Sequence, residues 1–156
     1  MASAKIGAKV PSFSLPASGG GEPWRLQDAA GNKLVIYFYP KDMTAGCTRE
    51  SQDFRDLHKA FRKAGVQIVG VSRDSVASHD KFTAKEKLPF PLLSDADEKV
   101  CKLFDVIKEK SLYGRKYLGV ERSTFLVDAT GVLRREWRKV KVPGHAEEVL
   151  EAAKSL

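Results

Sequence analysis

Apolar residues in this chain follow two rhythms, and their alternation lays out most of the elements. Leu34-Val35-Ile36-Tyr37-Phe38-Tyr39 is a continuous apolar run of strand length and strand composition, which predicts a buried strand. Phe54, Leu57 and Phe61 then repeat at helical spacing and predict a helix from about 45 to 64. Val66-Gln67-Ile68-Val69-Gly70-Val71 reads as a second strand, and 75–87 as a polar helix. A short strand at Pro91-Leu92-Leu93 precedes a short helix near 98–104. Thr124-Phe125-Leu126-Val127 and the stretch 132–140 form a hairpin turned by Asp128-Ala129-Thr130-Gly131. Val149, Leu150 and Ala153 stripe a last helix over about 145–154, and Ser18-Gly19-Gly20-Gly21 marks a loop or hairpin in an N-terminal arm.

Strand, helix, strand, helix, then hairpin and helix describe a mixed sheet with helices on both faces. A long helix joins the first two strands, so these run parallel. The order is that of an α/β, thioredoxin-like fold with insertions, and 156 residues fit one domain spanning 1–156. Sites in such sheets form where strands end at their carboxyl edge and helices begin. Cys47 is there.

The local pattern around Cys47 favours an ionised sulfur. Thr44 is a good N-cap, which makes Ala45, Gly46 and Cys47 the first three helical positions. A capping box places a carboxylate at that third position, so a thiolate there occupies an anion-friendly end of the helix dipole. Cys47, Phe54 and Phe61 are spaced by sevens, so the thiol should turn inward, into a narrow pocket near free backbone N–H groups. The alternative is an inert buried cysteine. Pro40 and Thr44 favour chemistry: Pro40 ends the strand and can shield the pocket, and the Thr44 hydroxyl can both donate and accept.

Composition narrows the function classes. Hydrophobic residues make up 42% and charged residues 30%, which fits a globular domain. Residues 1–9 are polar and mildly basic, and no run is long enough to span a membrane, so a cytoplasmic location is expected. Two cysteines suit a reducing compartment. The net charge of +7 raises nucleic-acid binding, with Arg134, Arg135, Arg138, Lys139 and Lys141 as its support. No nucleic-acid motif accompanies them, and the basic stretch 134–141 reads as a solvated strand face, so no nucleic-acid partner is expected. His58 reads as a helix flank, His79 as a solvated helix residue and His145 as the first turn of the last helix. None has ligand spacing with a cysteine, and no metal is expected. Trp24 and Trp137 read as packing residues.

Pro40-x-x-x-Thr44-x-x-Cys47 resembles the active-site signature of the peroxiredoxins. The longer run from Tyr37-Phe38-Tyr39-Pro40-Lys41-Asp42 through Gly46-Cys47-Thr48-x-Glu50 is similar to the Q-type branch, the bacterioferritin comigratory proteins. Further blocks extend the resemblance over nearly the whole chain: Gly7-x-x-Val10-Pro11-x-Phe13, Leu93-Ser94-Asp95, Tyr113-Gly114-x-Lys116-Tyr117-x-Gly119, Arg122-Ser123-Thr124-Phe125, and Gly144-His145-Ala146-Glu147-Glu148. The resemblance implies a thioredoxin-like fold with the family's N-terminal arm, and a thiol peroxidase that needs no metal, flavin or haem. Its substrates would be hydrogen peroxide and organic hydroperoxides. By the same resemblance Cys47 is the peroxidatic cysteine, Thr44 a contact for the peroxide, Arg122 the active-site arginine and Pro40 the screen over the intermediate. Arg122 also suits the task as a permanent cation with several donors. Glu50, one turn beyond Cys47, either supports the site or is a helix-surface carboxylate. Ala45 departs from the proline usual in this branch.

Thiol ionisation alone does not make a fast peroxidase. Lowering a thiol's pKa from ~8.5 to ~6 raises its thiolate fraction at neutral pH roughly 30-fold. Nucleophilicity falls about tenfold or more over the same shift, so the net gain is only about two- to threefold. The rest must come from donors aimed at the departing oxygen, here Arg122, Thr44 and the Cys47 N–H. Attack leaves a sulfenic acid, which a thiol must resolve. Where the branch places a resolving cysteine this chain has Gln52 or, in the next helix, Thr83. Cys101 is left as a possible resolver or as a packing residue. The expected course is a one-cysteine mechanism in a monomer, regenerated by thioredoxin, glutaredoxin or a small thiol. The competing class is a redox sensor or holdase-type chaperone that uses Cys47 oxidation as a signal.

Overall fold

The computed structural model describes residues 3–156; Met1 and Ala2, at the head of the polar stretch 1–9, lie outside it. The N-terminal arm carries a two-stranded ribbon, β1 (Ser14–Leu15) against β2 (Trp24–Arg25), with the glycine-rich loop between them. A 3-10 turn at Leu26–Ala29, which the apolar pattern does not predict, leads into β3 (Lys33–Phe38). There follow α1 (Ala45–Lys63), β4 (Val66–Ser72), α2 (Val76–Glu86), β5 (Leu92–Ser94) and α3 (Lys99–Leu103). After a hairpin of β6 (Ile107–Leu112) and β7 (Arg115–Val120) come β8 (Ser123–Val127), β9 (Leu133–Trp137) and α4 (His145–Lys154).

The central sheet has the order β5-β4-β3-β8-β9. β3, β4 and β5 run parallel, while β8 and β9 are antiparallel to their neighbours, so the sheet is mixed as expected. Alternation along β3 divides the core. Leu34, Ile36 and Phe38 meet the N-terminal arm and α3, where Val100, Cys101 and Phe104 pack. Val35, Tyr37 and Tyr39 meet Phe54 and Phe61 of α1, Phe82 of α2 and Val149 of α4. The continuous apolar run of β3 is therefore the signature of a strand covered on both sides.

The register of β3 against β4 places Tyr37 opposite Gly70. A Cβ on Gly70 would come within 2.8 Å of the Tyr37 ring, so glycine is required there for the ring to cross β4. The crossing delivers the phenol to Ser51 of α1 at 2.9 Å. The far edge is blunted by charge, since Arg134, Arg135 and Glu136 of β9 are all exposed. This is the solvated face expected of the basic stretch.

The β6–β7 hairpin is the largest element the apolar pattern misses. Its outer residues, 111 to 118, are all exposed, so no buried stripe marks it as strand. The remaining signal is its turn: Tyr113 and Gly114 both adopt positive φ, 51° and 77°, as a two-residue hairpin turn of the primed type requires.

Candidate active site around Cys47

β3 ends at Phe38, the chain turns through Pro40, and α1 opens at Ala45, so Cys47 lies in the helix's first turn at the carboxyl edge of the parallel strands. Thr44 is the N-cap residue with extended backbone, yet its side chain does not cap the helix. Its hydroxyl donates instead to the Lys41 carbonyl at 2.9 Å. The capping expectation is corrected in that respect: the first-turn N–H groups of α1 are left without a side-chain acceptor and remain free for an anion.

Cys47 points inward with Phe54 and Phe61, and it is 1% exposed, more completely covered than a partly shielded pocket. Arg122, two residues past the end of β7, reaches it from the antiparallel side of the sheet. The β3–β8 register explains why, because Phe38 faces Ser123 and brings the residue before β8 to the end of β3. Arg122 Nη2 donates to Cys47 Sγ at 3.3 Å and Nη1 donates to Glu50 Oε1 at 2.7 Å. The Arg122 carbonyl accepts the Val140 N–H at 3.0 Å, which fixes the arginine's backbone. One guanidinium thus holds a sulfur with one arm and a carboxylate with the other, in the planar geometry that lysine lacks.

Glu50 is 2% exposed, so the surface-carboxylate alternative does not hold. Burial pushes its carboxyl up to about 7, and the facing Arg122 draws it back only in part. Its second oxygen, Oε2, is buried without a hydrogen-bond partner. Gly46 belongs to the site by virtue of its missing side chain, since a Cβ there would lie 3.1 Å from Arg122 Nη2. Pro40 is half-buried next to Tyr39. Lys110 of the β6–β7 hairpin adds a half-buried cation: burial, then Arg122 and Arg73, lower its pKa, while Cys47 acts the other way.

Cys101 is placed elsewhere. It is fully buried in α3, in the core on the opposite face of the sheet from Cys47. Burial, followed by the charge of Asp95, pushes its thiol far above the ordinary range. This is the packing position that Val100 and Phe104 suggest, and a resolving role is not supported by it. Gln52 donates to Glu86 of α2 at 2.8 Å, and the Thr83 hydroxyl is buried without a partner.

The histidines divide. His58 is half-buried on α1, and burial lowers its pKa. His145 opens α4 as expected but is 5% exposed and bonded to Thr124 at 2.8 Å; burial takes its pKa down to about 4. The reading of His79 as solvated is wrong: it is 0% exposed and lies against Asp42. The signal in the sequence is Phe82, one helical turn on and fully buried, which puts His79 on the inward face of α2. Asp42, which the sequence does not single out, is 4% exposed. Among the described residues no group of three or more His, Cys, Asp and Glu side chains is arranged to hold a metal ion. No helix among them is long and apolar enough to cross a membrane.

Comparison with known proteins adds ancestry to this geometry. The model of the AhpC/TSA family matches residues 6–136. Peroxiredoxin Bcp of Xanthomonas campestris is 54% identical over 156 residues, which cover 99% of this chain and 98% of the relative. Peroxiredoxin Bcp of Bacillus subtilis is 49% identical over 152 residues, 97% of this chain and 96% of its own. Among solved structures, Xanthomonas campestris peroxiredoxin Q, at 57% identity, superposes with a TM-score of 0.87 over 92% of this chain and 90% of that one. A further structure, of the Xanthomonas campestris bacterioferritin comigratory protein, concerns its alkyl peroxide reduction activity; it is 56% identical, with a TM-score of 0.87 over 92% of this chain and 90% of that one.

Proposed function

This chain belongs to the AhpC/TSA family and is a peroxiredoxin, a thiol-dependent peroxidase, and from that premise we propose that Cys47 is its reacting sulfur, served by Arg122, Thr44 and Pro40. The observation that carries the assignment is the Arg122 fork, 3.3 Å from Cys47 Sγ and 2.7 Å from Glu50 Oε1. The Cys47 thiolate attacks one peroxide oxygen. The O–O bond breaks, sulfur takes the near oxygen as a sulfenic acid, and the far oxygen leaves with the bonding pair and picks up a proton as water or an alcohol. Negative charge passes from sulfur to the leaving oxygen. Arg122 is positioned to follow that charge, and the free first-turn N–H groups of α1 supply further donors.

Thr44 takes a different part from the leaving-group donor expected of it. Its proton is committed to the Lys41 carbonyl, so its oxygen is left as an acceptor and can receive the O–H of the incoming peroxide. That would orient the substrate without assisting the departing oxygen. The substrates are hydrogen peroxide and organic hydroperoxides, in keeping with the alkyl peroxide reduction of the Xanthomonas campestris relative.

Regeneration uses an external thiol. It attacks the sulfenic sulfur, displaces water and forms a mixed disulfide with Cys47, which a second thiol then reduces. Gln52 and Thr83 stand where the branch places a resolving cysteine, and Cys101 is across the sheet, so this one-cysteine course is the one the residues support. Thioredoxin, glutaredoxin or a small thiol would serve, acting on a cytoplasmic monomer. The test is intact mass after one equivalent of peroxide. A gain of one oxygen on Cys47 is expected, whereas loss of two hydrogens would mean an internal disulfide and overturn the one-cysteine course.

A further inference from the structure

Seven residues join the turn after β3 to the active-site sulfur, and of residues 41–47 only Asp42 and Cys47 are buried. Lys41, Met43, Thr44, Ala45 and Gly46 are exposed, so the loop that presents Thr44 and opens α1 is tied down at one point. That point is densely bonded. Asp42 Oδ1 accepts the Tyr39 hydroxyl at 2.6 Å, while Oδ2 accepts the Ser78 hydroxyl at 2.8 Å and faces His79 Nδ1 at 2.7 Å. The Asp42 N–H donates to Asp74 Oδ2 at 2.9 Å. The other ring nitrogen of His79, Nε2, faces the Leu93 carbonyl of β5 at 2.9 Å.

Both His79 nitrogens therefore face acceptors, a carboxylate and a carbonyl. Both edges of the ring are thus held, with no solvent contact on the histidine. Burial alone would raise the Asp42 pKa, but His79, Tyr39 and Ser78 outweigh it and the pKa is lowered. Next to this anchor Met43 holds φ at 63°, a left-handed conformation that a methionine keeps only when its surroundings impose it.

We infer that Asp42 and His79 are positioning residues that clamp the cysteine loop to α2 and β5, and that this clamp sets how readily Cys47 passes from its covered, peroxide-reactive geometry to one that a bulky thiol can reach. The inference rests on Cys47 being the peroxide-reacting sulfur. The same loop must serve two needs. Peroxide is small and reacts with a sulfur held at Arg122, whereas a mixed disulfide requires a second sulfur to approach a side chain that is 1% exposed. Loosening the clamp should therefore slow the first reaction and speed access to Cys47.

The test uses the two cysteines of one molecule against each other. Reduced wild-type, His79→Ala and the milder Ser78→Ala protein are treated with N-ethylmaleimide, and labelling is located by peptide mass; the rate with hydrogen peroxide is measured in parallel. Loss of one charge-assisted hydrogen bond predicts about a tenfold effect in His79→Ala. Cys47 labelling rises by about that factor, the peroxide rate falls by less than about twofold because the covered form still dominates, and Cys101 stays unlabelled; Ser78→Ala moves both quantities the same way by less. Unchanged Cys47 labelling in both variants overturns the inference. So does parallel labelling of Cys101, which would mean general loosening of the fold. Failure of wild type to react with peroxide would instead sink the assignment of Cys47, and the labelling contrast would still report on the clamp.

Discussion

Cys47 and Cys101 are almost equally hidden, at 1% and 0% exposure, and each packs into a hydrophobic cluster, on opposite faces of one sheet. What differs is the sign of the charge that reaches them. Arg122 donates to the Cys47 sulfur, which lies in the uncapped first turn of a 19-residue helix. Cys101 lies beside Asp95, a fully buried carboxylate that takes the Cys101 backbone N–H at 2.6 Å and the Val100 N–H at 3.2 Å. A cation faces one sulfur and a carboxylate lies beside the other. Burial, the larger cause of the raised Cys101 thiol, is common to both sites; the neighbouring charge is what distinguishes them.

The comparison breaks first at Arg122. Arg122→Ala removes the cation from the Cys47 side and leaves Glu50 buried opposite an empty space. Loss of a donor aimed at developing charge costs roughly 10²–10³ in rate. We expect a drop of that size in the second-order peroxide rate, measured by stopped flow on the high-pH plateau of each enzyme's own profile. Equal plateau rates would confine Arg122 to ionising the thiol. Arg122→Lys should recover only part of the loss, since an ammonium cannot hold Sγ and Glu50 in one plane.

A smaller effect is expected at Gly46. An alanine Cβ there would sit 3.1 Å from Arg122 Nη2, and the guanidinium must shift by a few tenths of an ångström to admit it. Gly46→Ala should strengthen the helix by less than the roughly 0.5–1 kcal/mol of a helix interior, since Gly46 is in the first turn of α1, while lowering the peroxide rate about tenfold through misplacement of the donor. A variant that gains melting temperature and loses activity would separate positioning from folding. Unchanged activity would show that the arginine has room to spare.

Glu50→Gln sharpens the electrostatic side. With a folded pKa of about 7 and an unfolded value of about 4.3, native Glu50 keeps its proton across an interval where the unfolded chain has lost it. The native state binds more protons there, so this group's contribution to stability is full below about pH 4.3 and falls as pH rises through about 7. A glutamine side chain in its place does not titrate and lacks that dependence. The melting temperature of Glu50→Gln relative to wild type should therefore climb over the same interval and level off above it, and the few-fold inflection expected near pH 7 in the wild-type peroxide rate should vanish. A constant difference at all pH values would place the ionisation elsewhere.

Much of this architecture is legible in the order of residues alone. β3, α1, β4 and α4 announce themselves because each buries a regular face, and Cys47 falls on the seam between strand and helix that such patterns expose. The β6–β7 hairpin does not, because a projecting ribbon buries little and local patterning has nothing to record. Arg122 can be tied to Cys47 only by likeness to a family, since the contact spans 75 positions and depends on the β3–β8 register. Asp42 and His79 escape a reading of the sequence for a related reason. Polar residues suggest solvent until a partner is seen, and these two partners lie 37 positions apart.

The smallest effect belongs to Cys101, and it probes the other pole of the comparison. Cys101→Ser exchanges a sulfur for a hydroxyl in a dry core beside Asp95, costing about 1–3 kcal/mol if the hydroxyl finds no partner. Peroxide turnover with an external thiol should stay within about twofold of wild type, because no step uses this sulfur. A collapse of turnover would make Cys101 the resolver and require the two faces of the sheet to exchange a side chain. Asp95→Asn refines the point by removing the opposing charge while leaving the cover in place. The Cys101 thiol should move towards the ordinary range and still resist maleimide in the folded protein, since Cys101 stays fully buried. Rapid labelling would mean that Asp95, more than burial, keeps this second sulfur silent.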